Sequence, residues 1–179
     1  MDFTTLIARV QRLLTSPATE WDVIAGEAAD VAKIYVNYAG PLALAAMLLT
    51  GLALMLYAGL GLGGFVQFVI VQTVLSLIGV YVVAFVINAL APTFGATADM
   101  GQAFKLAAYT PTAAWAGAVF NIVPVLGQII ALVAALYSLY LLYVGLPKLM
   151  RPPEDKVVVY TLSIIGVVIV VTIAARLIA

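Results

Sequence analysis

The sequence contains no cysteine and no histidine. Disulfide bonds, thiol nucleophiles, imidazole bases and the usual ligands of zinc, copper and haem are therefore excluded together. Charge is also scarce, because only 9% of the 179 residues are Asp, Glu, Lys or Arg. Eight basic residues balance eight acidic ones, which argues against a nucleic-acid-binding protein. We expect no metal site and no cofactor.

Apolar residues dominate the chain. They make up 65% of it, and the mean hydropathy is +1.19, far above that of a soluble domain. A helix needs about 20 apolar residues to cross a hydrocarbon core of roughly 30 Å. We therefore predict an all-α integral membrane protein, a bundle of about five transmembrane helices preceded by one or two amphipathic cytoplasmic helices. The predicted spans within residues 39–179 cover about 40–60, 65–90, 103–123, 126–146 and 157–178.

Residues 1–38 are predicted to form cytoplasmic amphipathic helices. Asp2 replaces the basic start of a signal peptide, so we expect no cleavage. The helical spacing of apolar residues predicts a first helix in the cytoplasmic interface, and Ser16-Pro17 ends it. These apolar residues are Phe3, Leu6, Ile7, Val10, Leu13 and Leu14.

A second N-terminal helix is predicted to follow, with mostly acidic polar residues. Acidic side chains disfavour contact with anionic lipid, so this helix is expected to pack on the protein's own cytoplasmic face or on another protein. Its predicted cytoplasmic interaction surface consists of Glu20, Trp21, Asp22 and Glu27.

The distribution of charge predicts the orientation. Five spans place seven of the eight basic residues and all eight acids on one side, and leave only Arg176 on the other. The positive-inside rule makes the first side cytoplasmic, with the N-terminus inside and the C-terminus outside. The main alternative has four spans and treats the third and fourth as one re-entrant hairpin, which would spoil this asymmetry.

Lys105 and Tyr109 are candidate ligand or partner contacts at the start of the third span. They lie four residues apart on one helix face, and the lysine is suited to a lipid phosphate or an anionic substrate. The alternative is a snorkelling lysine that sets the depth of the span. Pro111 is expected to kink this span and is a candidate hinge.

Gln67, Tyr81 and Asn88 are the other candidate contacts, on the second span. Their separations are multiples of seven, so they are expected to share a stripe facing protein or water. Such a stripe lines a polar path or, alternatively, ties helices together by hydrogen bonds.

Three stretches of the chain resemble the bacterial branch of the Yip family, the Ypt/Rab-interacting proteins. They are Ser16-Pro17-x-x-Glu20-Trp21-x-x-Ile24, the run AFKLAAYTPT at 103–112 and the run YSLYLLYVGLP at 137–147. The resemblance implies five spans, a cytoplasmic N-terminus, the bacterial inner membrane and frequent self- or hetero-association. Eukaryotic members associate with prenylated Rab GTPases and carry an Asp-Leu-Tyr-Gly-Pro type motif. Here Tyr38-Ala39-Gly40-Pro41 has an extra alanine and no acid immediately before it.

The favoured function is a non-enzymatic membrane organiser or adaptor. Its expected partners are the lipid bilayer and other membrane proteins, or further copies of itself in a homo-oligomer. The alternative is a small transporter or channel for an ion, solute or lipid, although no Asp or Glu lies inside a predicted span. A lipid-modifying enzyme is not expected, because Asp99, Glu154 and Asp155 are not spaced as an acid and base pair with Lys105 or Lys148.

Overall fold

The computed structural model describes residues 3–178, apart from the side chains of residues 175, 176 and 178. Within this range the chain is helical and has no β-strand. The helices are α1 Phe3–Thr15, α2 Pro17–Gly26, α3 Val31–Ala58, α4 Leu62–Leu90, α5 Met100–Tyr109, α6 Thr112–Gly117, α7 Pro124–Leu149 and α8 Val157–Ile178. Short 3₁₀ turns follow α4 and α6 and precede α8, at Ala91–Phe94, Ala118–Ile122 and Glu154–Lys156.

Four helical segments of the described chain are long and apolar enough to cross a membrane. They are Val31–Ala58, Leu62–Phe94, Pro124–Leu149 and Glu154–Ala174. Large apolar side chains point outwards along them, as lipid-facing surfaces require. The chain is therefore a multi-pass membrane protein.

The predicted third span, 103–123, is not among these four segments. The structure instead has a ten-residue helix α5, a six-residue helix α6 and a 3₁₀ turn. The interruption predicted at Pro111 is confirmed, because α5 ends at Tyr109 and α6 begins at Thr112. Proline has no N–H to continue a helix, and its ring clashes with the preceding turn.

The broken segment nevertheless extends between the two ends of the bundle. Just before it, the N–H of Thr97 donates to the carbonyl of Met150 over 2.8 Å, at the end where α7 finishes. At its far limit the carbonyl of Ile122 accepts a 2.7 Å bond from the hydroxyl of Tyr57, near the last turn of α3. We call the first end, which also carries Lys148, the charged end.

Helix α3 begins nine residues earlier than the predicted first span and contains a π-helical turn at Tyr35–Ala39. Pro41 lacks the N–H for an ordinary bond to Asn37, and the wider turn gives its ring room. Gly40 instead donates its N–H to the carbonyl of Tyr35, and a Cβ there would lie 2.6 Å from that oxygen.

Helices α1 and α2 form a hairpin, the N-terminal hairpin, that packs against the bundle. Helix α2 was predicted to pack either on the protein itself or on another protein, and in the structure it packs on the protein itself. Leu13, Trp21 and Ile24 are fully buried. Trp21 lies against Gly145 of α7, where an added Cβ would approach the indole to 2.6 Å. The hydroxyl of Tyr137, also on α7, donates to the carbonyl of Leu14 over 2.8 Å.

Candidate functional site

The side chain of Lys105 fastens the N-terminal hairpin to α5. Lys105 is 1% exposed, although it carries a charge. Its Nζ donates to the carbonyl of Ile24 over 2.7 Å, to that of Ala25 over 3.2 Å and to that of Glu27 over 2.7 Å. An ammonium has three protons, and each finds an acceptor here.

These three carbonyls lie at the C-terminus of α2, where carbonyl groups run short of partners within the helix, although that of Ile24 also accepts the N–H of Glu27 over 3.2 Å. The helix dipole also places negative charge there, so a cation is favoured. Gln102, one turn earlier on α5, adds a 3.3 Å bond from its amide to the carbonyl of Ala25. Helix α5 therefore caps α2 with two side chains.

A cluster of four charged residues holds α1 to α2 and to the following linker. Arg12 Nε donates to Glu20 over 2.6 Å, and Arg9 lies 3.2 Å from the other oxygen of Glu20. Arg9 also donates to Glu27 over 2.5 Å. Two arginines and two glutamates leave no net charge, as burial requires for the nearly inaccessible Glu20.

Arg9 lies over the ring of Tyr109, with 5.6 Å between the guanidinium carbon and the ring centroid. Burial alone would lower the pKa of Arg9. The hydrogen bond with Glu27 and the charges of Glu27 and Glu20 outweigh burial, so the pKa rises above its ordinary value. The arginine therefore stays charged.

A cleft of about 450 Å³, the charged-end cleft, opens beside this cluster between α1, the linker after α2, α3 and α5. Its polar wall includes Arg9, Glu27, Asp30, Lys33, Asn37 and Tyr109. Two acids and two bases line it, so its formal charge is balanced. Such a wall can bind a group that carries both signs of charge.

Asp30 starts α3 and pairs with Lys33 on the cleft wall. Its carboxylate accepts a 3.0 Å bond from the N–H of Lys33 and lies 3.2 Å from the ammonium of the same residue. The backbone bond, and then the side-chain bond, hold the pKa of Asp30 below its ordinary value of 3.8. The carboxylate is therefore charged at neutral pH.

The inner wall of the cleft is fixed by a chain of hydroxyl groups. Thr112 donates its only hydroxyl proton to the carbonyl of Tyr109 over 2.5 Å. Tyr38 must therefore be the donor in its 2.6 Å bond to Thr112 Oγ1. The rings of Tyr38 and Tyr109 lie 4.4 Å apart. The π-helical turn of α3 is thereby tied to the break between α5 and α6.

The family model described as the Yip1 domain matches residues 12–175 of the chain. The chain belongs to this family. No curated protein and no solved structure matched it. In this Yip1-family protein the matched region contains Glu20, Lys105 and the α3 wall of the cleft, whereas Arg9 precedes it. The Yip resemblance noted from the sequence is confirmed at the level of the family.

The two predicted contacts near the third span have different surroundings in this Yip1-family protein. Tyr109 lines the charged-end cleft. Lys105 instead donates to three carbonyls at the end of α2. Whether either residue contacts a ligand stays a prediction, and so does the hinge at Pro111.

The three residues of the predicted stripe on the second span differ in their exposure. Gln67 and Tyr81 are exposed on the outer surface of α4, whereas Asn88 is half-buried. Tyr81 lines a separate cleft, largely apolar, with Tyr35 and Leu77. Nothing in the described part of the chain supports the transporter alternative.

The predicted acidic interaction surface is only partly on the surface. Glu20 is buried between α1 and α2, and Trp21 between α2 and the bundle, so neither is available to an external partner in this structure. Asp22 and Glu27 remain accessible, with 59% and 38% of their side chains exposed. Asp22 forms a 2.8 Å ion pair with Lys148. Burial follows because the helix turns Glu20 towards the two arginines of α1.

Sequence reasoning missed Arg9, Asp30, Lys33 and Asn37 as parts of one site. The spacings of three and four residues between Asp30, Lys33 and Asn37 are the local signals among them. Arg9 is separated from Glu27 by 18 positions, and no spacing rule reaches that far. Among residues 3–178, no group of three or more potential metal-ligating side chains lies together.

Proposed function

We propose that this Yip1-family protein is a non-enzymatic membrane organiser or adaptor that binds other membrane proteins or lipids at its charged end. The charged-end cleft carries this proposal. Its walls are fixed by the buried ion pairs of Arg9 and by the Lys105 contacts, so the site is preformed. It offers paired charges and amide groups for contact, and no constellation of nucleophile and base.

We further propose that the charged end is cytoplasmic and that the chain crosses the bacterial inner membrane five times, with the C-terminus outside. The positive-inside rule supports this orientation, because seven of the eight basic residues belong to the N-terminal segment and to the parts of the chain near the charged end. The course of residues 97–122 between the two ends supports a fifth, broken crossing. Association with further copies belongs to the same proposal.

Single engineered cysteines test this topology without background, because the chain has no native cysteine. Gly61 follows α3 at the end opposite Lys148, and Pro153 follows α7 at the charged end. An impermeant thiol reagent added to intact cells should label Gly61→Cys and should spare Pro153→Cys until the membrane is opened. Labelling of Pro153→Cys from outside would refute five crossings with this orientation.

Site-specific photo-crosslinking tests the organiser function. A photoreactive residue at Asp22, at the charged end, should give discrete protein adducts in native membranes. The matched control at Leu62, which is 70% exposed near the opposite end, should not. Equal adducts at both positions would contradict a partner site at the charged end. Rapid solute flux by the purified protein in liposomes, abolished by Asn88→Leu, would refute the organiser function.

A further inference from the structure

The geometry points to the charged-end cleft as a binding site for the headgroup of a zwitterionic phospholipid with a primary ammonium, of the phosphatidylethanolamine class. This inference rests on the proposed function and specifies one of its ligands. The cleft volume of about 450 Å³ lies within the range of small-molecule sites.

The charge balance of the cleft selects a zwitterion. Glu27 and Asp30 supply negative charge, and Arg9 and Lys33 supply positive charge. A purely anionic headgroup would gain from the two cations but would meet two carboxylates, and a purely cationic group would meet the reverse. A headgroup with one charge of each sign can pair both and leave the cleft neutral.

Accessible polar groups remain for such a headgroup. Arg9 is already committed to Glu20 and Glu27. Only one oxygen of Glu27 is engaged by Arg9, and 38% of that side chain is exposed. The Lys33 side chain is 77% exposed, and its ammonium has two protons beyond the one directed to Asp30. The unengaged oxygen of Glu27 therefore suits the ammonium. Asp30, whose two oxygens already contact Lys33, adds negative charge beside it, and Lys33 suits the phosphate.

A primary ammonium fits this arrangement better than a trimethylammonium. It donates three N–H bonds, and the carboxylates of Glu27 and Asp30 are acceptors on adjacent parts of the wall. Choline has no N–H to donate. Aromatic faces attract quaternary ammonium groups, but Arg9 already lies over the ring of Tyr109, and the ring of Tyr38 is buried against Tyr109.

The helices that line the cleft also expose apolar side chains, which favours a lipid over a soluble compound. Helix α1 exposes Phe3 and Ile7, and α3 exposes Val31 and Val36. Phe3 and Val36 are 66% and 67% exposed, which is unfavourable in water but suits contact with acyl chains. The two helices that form the polar wall thus also offer surfaces for a lipid tail.

The test is native mass spectrometry of the purified full-length chain with equal amounts of phosphatidylethanolamine, phosphatidylcholine and phosphatidylglycerol. The first lipid should be retained about tenfold more strongly than either other lipid, the effect of one charge-assisted hydrogen bond. Asp30→Asn should weaken its retention about tenfold while preserving the start of α3, because asparagine caps helices as well as aspartate does.

Asp155→Asn is the matched control, since Asp155 is an exposed acid 3.8 Å from Lys156 and outside the cleft. It should leave retention unchanged. Lys33→Gln tests the phosphate contact and should likewise weaken retention of the lipid. Its control, Lys156→Gln, should leave retention unchanged. Three results would overturn the inference: a preference for phosphatidylglycerol, unchanged lipid retention in Asp30→Asn, or retention weakened equally in Asp155→Asn.

Soluble glycerophosphoethanolamine separates the two sources of this headgroup. It should compete only weakly, and displacement of the lipid by an equimolar amount would overturn a lipid site. Photo-crosslinking at Asp22 distinguishes the two proposals. If the protein adducts form at Asp22 but the chain shows no preference among the three lipids, only the lipid site is overturned. If the lipid preference is observed but no protein adducts form, only the protein-partner role is overturned.

Discussion

Replacement of Lys105 by methionine should loosen the N-terminal hairpin. Methionine has a similar length and is apolar, so it fills the same buried position without donating hydrogen bonds. The change leaves three carbonyls at the end of α2 without the ammonium that they now share. The contacts between α2 and α7, including Trp21 against Gly145, would then hold the hairpin with less help from α5.

The expected loss is about 2 kcal/mol in the free energy of hairpin docking. Each hydrogen bond to a charged group contributes about 1.5–3 kcal/mol, and a cation at a partly buried helix C-terminus contributes up to about 2 kcal/mol. Methionine removes an ammonium whose burial costs several kcal/mol, so most of this gain is offset. The two 2.7 Å bonds make the net effect a loss.

A cysteine at Leu13, which is fully buried in α1, reports opening of the hairpin by its rate of thiol labelling. In that background Lys105→Met should raise the labelling rate about 30-fold, the equivalent of 2 kcal/mol. Lys156→Met removes an exposed lysine at the charged end, and should change the rate by about twofold at most. An unchanged rate in Lys105→Met, or equal increases in both variants, would refute the role of Lys105 in holding the N-terminal hairpin.

Two further substitutions test the packing that positions the site. Gly145→Ala should destabilise the protein by about 1–2 kcal/mol, because its Cβ would press on Trp21, whereas Gly79→Ala meets no atom within 4 Å and should be neutral or stabilising. Thermal unfolding in detergent measures both, and a neutral Gly145→Ala would contradict this close packing. Tyr38→Phe removes the bond to Thr112 and should cost about 1 kcal/mol in the same assay. No change would show that the hydroxyl chain does not hold the inner wall.

The features that the sequence predicted well depend on local chemistry. The apolar composition required a membrane-embedded helical bundle, and four apolar segments of sufficient length are present in the described chain. Pro111 predicted an interruption, because a missing N–H acts on its own helix whatever surrounds it. The same loss of an N–H at Pro41 also widened a turn of α3, and this effect was not anticipated.

The partners of the charged side chains followed from tertiary structure alone. Lys105 was expected to face lipid or a ligand, yet its acceptor at Ile24 lies 81 positions away and is brought near by the packing of α2 against the bundle. Glu20 was assigned to the surface, but the hairpin turned it towards Arg9 and Arg12. Sequence periodicity shows which face of a helix is apolar, and it does not show which distant helix that face will meet.

The sequence by itself therefore determined that this protein is embedded in a membrane, that it is helical and where one helix must break. Each of these follows from the transfer free energy or the backbone chemistry of residues close together in the chain. Tertiary structure decided which charges are buried, which are paired and where a polar cleft remains open. Those outcomes depend on contacts between helices far apart in sequence, which no local pattern records.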